Sequence, residues 1–191
     1  MNTPAHVAIN VFLLGRRQWN SRWWPIVAGS LLPDLPMFGF YAYEKLVLRR
    51  PEHVVWQTDY FHAGWQAFFD VFNALPLIGI GALIAWTMKR SGWLAFFTSM
   101  GLHCLADLPL HNKDAHSHFF PLSSWRFNSP VSYWDPQHYG LYAGSVEALL
   151  VLASCIAMML PRHRRSIRIC GAAVLLTYVA YAAFVLLVWV V

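Results

Sequence analysis

The chain has 191 residues, of which 58% are hydrophobic and only 12% are charged, and its formal net charge is +5. Ordinary soluble domains are about one quarter charged, so this composition excludes a typical soluble domain and indicates a membrane protein. The lysines and arginines are gathered in short loops beside apolar segments. That distribution is typical of topology signals, and we therefore expect no nucleic-acid partner.

The N-terminal region predicts a short helical hairpin. Residues 5–15 and 24–32 are apolar, but each stretch is shorter than the roughly 20 residues that a membrane span requires. The basic turn 16–22 joins them. Because a hairpin returns its two outer ends to the same place, we expect His6 and Asp34 to lie at one end of the protein.

Four later segments are apolar and long enough to span a bilayer, the first two only if their polar residues face the protein interior. They are residues 65–88, 93–110, 139–160 and 167–191. Residues 37–50 mix aromatic with charged side chains, as an interfacial helix does. The sequence therefore predicts one all-α domain, a polytopic integral membrane bundle with a short N-terminal helical hairpin and about four full transmembrane helices.

The basic loops predict how this bundle is oriented. Nine of the 14 lysines and arginines fall in the turns 16–22, 89–90 and 161–168, and the other five fall at the opposite end. By the positive-inside rule, the face with nine basic residues is cytoplasmic. We therefore predict a protein of the bacterial inner membrane whose polar pocket faces outward.

The run from residue 103 to residue 118 holds most of the side chains that can bind a metal. His103 and Asp107 are four residues apart, so on a helix they share a face and can hold one divalent cation. His111 follows four residues later, but Pro109 disturbs the helix between them and leaves the placement of His111 open.

The loop after this segment offers further candidates. His116 and His118 would lie on the same side of an extended segment, as in many metal sites, although exposed loop histidines are also common. Trp125 and Arg126 stand next to each other in an aromatic stretch, where a guanidinium could bind an anionic substrate at a membrane surface. An interfacial aromatic belt is the alternative for these two residues.

A polar stripe runs along the first of these spans. His62, Gln66, Asp70 and Asn73 recur at helical spacing, which predicts either a site or a hydrogen-bonded seam between helices. Glu147 is the only acid of the segment 139–160, and a functional role or a role as a buried partner is equally open for it.

These groups all map to one end of the predicted bundle. We expect a divalent metal, zinc in particular, because neutral imidazoles and carboxylates are its usual nitrogen and oxygen ligands. Asp34 and Asp107 are the candidate catalytic residues, and Trp125 and Arg126 the candidate substrate contacts. The candidate metal ligands are His6, Asp34, His62, His103, Asp107, His111, His116 and His118.

The sequence contains no G-x-S-x-G elbow, P-loop or G-x-G-x-x-G motif, so an enzyme built on it would use water activated by the metal. Two other classes stay open. One is a non-catalytic protein that binds or transports a metal, and the other is a helical protein whose histidines form seams or a pH-sensitive interface.

The order of the motifs resembles the YdjM-type family of membrane-bound metal-dependent hydrolases. The similarity covers residues 3–136 and runs from the N-terminal histidine through Leu-Leu-Pro-Asp and His-x-x-x-Asp to Trp-Arg-Phe. It implies a hydrolase core in residues 1–138, followed by two C-terminal transmembrane helices in residues 139–191. It also implies an ester or phosphoester substrate close to the membrane, either a small molecule or a membrane lipid or lipid-linked compound.

The chain departs from the family pattern at two positions. Pro36 replaces the second acid of Pro-Asp-x-Asp, and Gln57 replaces the first histidine of His-Arg-Gly-x-x-His-Ser. Asp59, or a histidine of the 116–118 loop, is a candidate substitute for the lost ligand. The His-x-x-x-Asp helix is also similar to that of zinc-dependent phospholipases C and related nucleases, which implies phosphodiester or phosphomonoester chemistry.

Overall fold

The computed structural model describes residues 1–15 and 23–189, with side chains up to residue 183. In these ranges the chain is helical apart from turns and loops and contains no strand, which confirms the all-α prediction. The helices described are α1 Thr3–Leu14, α2 Trp23–Leu31, α3 Leu35–Ala42, α4 Glu52–Gln57, α5 Ala63–Phe72, α6 Leu75–Thr87, α7 Ser91–Asp107, α8 Gly140–Met159 and α9 Arg165–Trp189.

Three helical segments among the described residues are long and apolar enough to cross a membrane: Ala63–Thr87, Gly140–Met159 and Arg165–Ala183. The chain therefore has the helices of a membrane protein. The fourth predicted span corresponds to α7, which has only 17 residues and ends at Asp107, two residues before Pro109. A helix of that length lies at the lower limit for a span, so the structure supports three of the four predicted crossings.

The first of these segments is interrupted. α5 ends at Phe72 and α6 begins at Leu75, and Pro76 occupies the first turn of α6. A proline is tolerated there because the first amide groups of a helix have no partner within that helix. The interruption divides the segment into α5, which carries the polar stripe, and α6, whose residues are apolar up to Thr87.

α1 and α2 form the predicted short hairpin, although its basic turn 16–22 lies outside the described residues. α1 packs against α2, α7, α8 and α9, and its small side chains face the main hydrophobic core. A polar joint holds the centre, where the Asn10 amide donates to the carbonyl oxygen of Ser99 at 2.9 Å and the Ser99 hydroxyl donates to that of Ile26 at 2.6 Å.

α2 crosses α7 at very short distance. A Cβ atom added at Gly29 would lie 2.2 Å from the carbonyl oxygen of Phe96, so only glycine permits this approach. The contact determines where α2 ends, and with it the positions of Ser30 and Asp34 relative to the last two turns of α7.

Residues 35–62 and 111–138, which we call the cap, lie at the end of the bundle where α2 and α7 end. In the first of these segments a π-helical turn, Tyr43–Val47, follows α3. Phe40, Val55, Tyr60 and Phe69 form an aromatic-rich core that joins this segment to α5. The cap therefore has a hydrophobic core separate from that of the bundle.

Candidate metal centre

Three helices bring polar side chains together beneath the cap. His6 lies in the first turns of α1, Asp34 follows α2, and His103 and Asp107 share one face of α7. Ligand atoms of His6, His103 and Asp107 all lie within 4.8 Å of one another, and all three residues are buried. Side chains far apart in sequence thus meet at the spacing that a bound cation requires.

Asp107 is the centre of this group. Its Oδ1 lies 3.0 Å from Nε2 of His6, and its Oδ2 lies 3.0 Å from Nε2 of His103. The same His103 nitrogen lies 3.4 Å from Oδ1 of Asp34. The two imidazole rings are stacked, with centroids 3.5 Å apart, so both present a nitrogen to the same carboxylate.

The backbone of α2 orients His103. Its Nδ1 lies 2.8 Å from the carbonyl oxygen of Ser30, and because a carbonyl can only accept, Nδ1 carries the proton. In the neutral ring, Nε2 then holds a lone pair. This Nε2 is buried and has no hydrogen bond of acceptable geometry, although two carboxylates lie close to it. A lone pair that faces carboxylates is stabilised by a cation between them, either a bound metal ion or a proton on Nε2.

The cap adds a third imidazole. Nδ1 of His111 lies 2.8 Å from Oδ2 of Asp114, and its Nε2 lies 3.5 Å from Oδ1 of Asp107. Burial lowers the pKa of His111, but Asp107 and Asp114 together raise it to about 9. Burial raises the pKa of the Asp114 carboxyl, and the hydrogen bond from His111 outweighs that effect and brings it to about 2. The carboxylates thus hold positive charge at this position.

Other contacts brace the site from outside. The hydroxyl of Thr3 donates to Oδ2 of Asp34 at 2.5 Å, and the amino group of Met1 donates to Oδ1 of Asp107 at 2.5 Å. Glu147 of α8 accepts from the Asn2 side chain at 2.7 Å and from the Tyr178 hydroxyl at 3.0 Å. Glu147 is therefore a buried partner that anchors the start of α1, and with it His6.

The structure places the remaining predicted histidines in two different settings. His116 is partly buried, with Nδ1 3.8 Å from Oδ1 of Asp70 and its ring centroid 5.6 Å from that of His111. Nδ1 of the buried His118 donates to the carbonyl oxygen of Asn73 at 3.1 Å. Both lie outside the three-residue cluster.

His62 lies apart from the cluster, contrary to the expected convergence. It is exposed, and its Nδ1 accepts a hydrogen bond from the backbone amide of Gly64 at the start of α5. The break between α5 and α6 accompanies the difference, because α5 packs mainly against α3 and the turn Asp59–Phe61 of the cap, whereas α6 packs against α7. The polar stripe of α5 points to the cap loop instead.

Arg126 is held by that stripe. It donates to Oδ2 of Asp70 at 2.5 Å, to Oε1 of Gln66 at 3.1 Å and to the carbonyl oxygen of Ala115. Trp125 beside it is exposed and contacts the rings of neighbouring phenylalanines. Both residues adjoin or line a cavity of about 320 Å³ between α5 and the loop, with Arg126, Asp70 and Gln66 among its walls. The guanidinium is thus used mainly to join the cap to the bundle.

Three contributors to the site are not among the candidate ligands predicted from the sequence. The carbonyl of Ser30 cannot be identified from residue types, because every residue has one. Asp114 had a signal, its position three residues after His111. Tyr133 had none; its ring centroid lies 5.2 Å from that of His111. Burial raises the pKa of its phenol well above the usual value, and Asp107 and Asp114 raise it further, so it stays a neutral donor.

No protein-family model, curated protein or solved structure matches this chain. Its function is therefore inferred from the site itself.

Proposed function

We propose that this chain is a membrane-bound, metal-dependent hydrolase of the YdjM type, with a divalent cation held by His6, His103 and Asp107. The observation that carries the proposal is the buried Nε2 of His103, whose lone pair faces two carboxylates while the Ser30 carbonyl holds the other ring nitrogen. Two imidazoles and a carboxylate form a typical donor set for zinc, and three protein ligands are usual in its catalytic sites.

The least buried side chains of the site suggest where water and substrate enter. The side chain of Asp34 is 17% exposed and that of Asp114 is 13% exposed, whereas those of His103 and Asp107 are at most 3% exposed. Bound zinc would act as a Lewis acid that polarises an ester and activates water. Asp34, on the open side, would accept the proton of the attacking water, and Asp107 would carry the negative charge that holds the cation.

The membrane setting supports an ester or phosphoester substrate presented at the bilayer, either lipid-linked or a small molecule. α7 would be a fourth crossing, because its first and last turns expose large apolar side chains such as Trp93 and Leu105. The excess of basic residues at the opposite end favours the inner membrane with the site facing outward. Three of those nine residues belong to the turn 16–22, outside the described part of the chain.

Metal content and turnover test this proposal together. Protein purified in detergent should contain about one zinc per chain, and His103→Ala should lose it, since a catalytic site with three protein ligands rarely tolerates the loss of one. Asp107→Asn should insert into membranes normally but hydrolyse bis(p-nitrophenyl) phosphate more slowly by orders of magnitude. His53→Ala, which removes an exposed histidine of α4, is the matched control and should change neither value.

The other classes predict different results. A carrier would bind the metal and move it across proteoliposomes without turnover of phosphodiester, phosphomonoester or carboxylic ester probes. If the histidines only form hydrogen-bonded seams between helices, neither the unsubstituted protein nor His103→Ala would contain a metal. Full hydrolysis by Asp107→Asn would show that this carboxylate is structural.

A further inference from the structure

The connection between α3 and α4 ends in three consecutive exposed aliphatic side chains. Leu46, Val47 and Leu48 are 77%, 64% and 43% exposed. Three successive side chains on a helical turn span roughly half of its circumference, so this turn exposes an unusually broad aliphatic face. This turn therefore projects from the cap, and we call residues 46–48 the tip.

Two arginines follow the tip directly. Arg49 adopts a left-handed conformation with φ 54°, which reverses the chain, and the backbone amide of Arg50 then donates to the carbonyl oxygen of Glu44 at 3.0 Å. Arg49 is exposed and has no ion-pair partner among the described residues. Arg50 is half exposed and reaches Asp59 only at 3.8 Å. Positive charge thus stays available beside the aliphatic side chains.

Lys45 behaves differently from these arginines. Its Nζ lies 2.9 Å from a carboxylate oxygen of Glu52 and 2.9 Å from the carbonyl oxygen of Arg50. These contacts tie the turn to α4 and leave the tip and Arg49 pointing away from the cap. The projection is therefore a braced structure with an apolar end and a basic rim.

That arrangement matches the layers of a phospholipid surface. Aliphatic side chains enter the acyl boundary, and guanidinium groups bind phosphate oxygens in the headgroup layer just above it. The segment 35–62 holds too many charged residues to cross the bilayer itself. It begins directly after Asp34, at one end of a bundle that contains three helices able to span a membrane.

We propose that the tip inserts into the headgroup and upper acyl layer of the surrounding bilayer, with Arg49 and Arg50 bound to the phosphates of anionic phospholipids. The cap is then attached to the membrane at a second point, away from the bundle. This inference does not rest on the metal or on the hydrolase activity, and it holds for any function of the site.

A depth measurement tests the insertion. Val47→Cys is labelled with bimane in the full-length protein, in vesicles of phosphatidylcholine with or without phosphatidylglycerol. We expect nitroxide-labelled lipid to quench this probe several-fold more strongly than a probe at Lys113→Cys, an exposed position with polar neighbours, and aqueous iodide to show the reverse order. The unsubstituted chain, whose three cysteines are buried, gives the background labelling.

A second variant tests the role of the arginines. Adding Arg49→Gln to the labelled chain should weaken lipid quenching in vesicles with phosphatidylglycerol and leave it unchanged in phosphatidylcholine alone. Equal quenching in both lipids, with and without the substitution, would overturn the binding of Arg49 to anionic phospholipid. Strong iodide quenching at Val47 would overturn insertion. Lipid quenching that falls as the protein-to-lipid ratio rises would assign the tip to a contact between copies.

Discussion

The histidines of this site are oriented by the partner of one ring nitrogen, which determines where the other nitrogen points. His103 and His111 each use Nδ1 to donate, to the Ser30 carbonyl and to Asp114 respectively, and each directs a buried Nε2 towards Asp107. Such a hydrogen bond fixes the orientation of the ring and makes its second nitrogen more basic. The residues that orient the imidazoles therefore matter as much as the imidazoles themselves.

Asp114→Asn should lower the stability of the folded protein, and the size of the loss should depend on pH. The pKa of Asp114 is lowered from 3.8 to about 2 in the folded chain, because the hydrogen bond from His111 outweighs burial. The ionised Asp114 carboxylate therefore contributes its full share of the unfolding free energy above pH 4, and this share is lost as the pH falls through about 2. Unfolding in detergent with a chelator should show a deficit of about 2 kcal/mol at pH 7.

The deficit of Asp114→Asn should shrink as the pH falls from 4 towards 2, because protonation removes the same charge from the unsubstituted protein. A deficit that is constant or grows over this range would mean that Asp114 acts through packing alone. Asp135→Asn provides a comparison, since Asp135 pairs with His138 in a similar way at the surface of the cap.

At the level of elements, the site depends on how closely α2 approaches α7. The approach at Gly29 brings the Ser30 carbonyl to Nδ1 of His103 and carries Asp34 to Nε2 of the same ring. α1 adds His6 because Glu147 of α8 holds the residues before it. Helix packing far from the ligands therefore determines the distances between them.

Gly29→Ala should separate the two helices and weaken metal binding. The new Cβ would meet the Phe96 carbonyl oxygen at 2.2 Å and Cβ of Ser99 at 3.0 Å. We expect a loss of about 1 to 3 kcal/mol in unfolding free energy, typical of overpacking, and a raised dissociation constant for zinc. Thermal unfolding in detergent and a competitive zinc titration measure the two effects.

Gly39→Ala is the matched control for Gly29→Ala. Gly39 also lies within a helix, but a Cβ added there meets no atom within 4 Å. Alanine should therefore stabilise α3 by about 0.5 to 1 kcal/mol and leave zinc binding unchanged. Similar results for both variants would show that the close approach of α2 and α7 is not a determinant of the site.

On the scale of the whole molecule, the candidate centre lies where the bundle meets the cap. The bundle supplies His6, His103 and Asp107, and the cap supplies His111 with its partner Asp114. The two parts are joined beside the site by the bond from Arg126 to Asp70 and by the backbone bond from Leu75 to His118. The candidate centre therefore depends on contacts from both the cap and the bundle.

A double-mutant cycle should show this coupling between cap and bundle. Arg126→Gln or Asp70→Asn alone leaves a partly buried charge without its partner, and each should cost about 2 to 4 kcal/mol in unfolding free energy. The double variant should cost clearly less than the sum of the two. Additive losses would mean that the pair does not hold the cap, and faster proteolysis of the loop 111–138 in the single variants is the independent check.

The sequence by itself determined the class of the protein and the most local part of its site. High apolar content and low charge predict membrane helices, because long apolar segments cannot remain in water. The pairing of His103 with Asp107 follows from the period of one helix. The hydrolase activity, the zinc and the outward orientation stay predictions from the same reasoning.

Only the tertiary structure decided which distant residues join that pair. The proton position on His103 depends on a carbonyl of another helix, and Asp70 meets Arg126 across 56 residues of chain. His62 lies outside the site because α5 is interrupted before α6, although its spacing continues the polar stripe. Helical periodicity reports only neighbours within one segment, whereas contacts between segments depend on how closely their surfaces pack, as at Gly29.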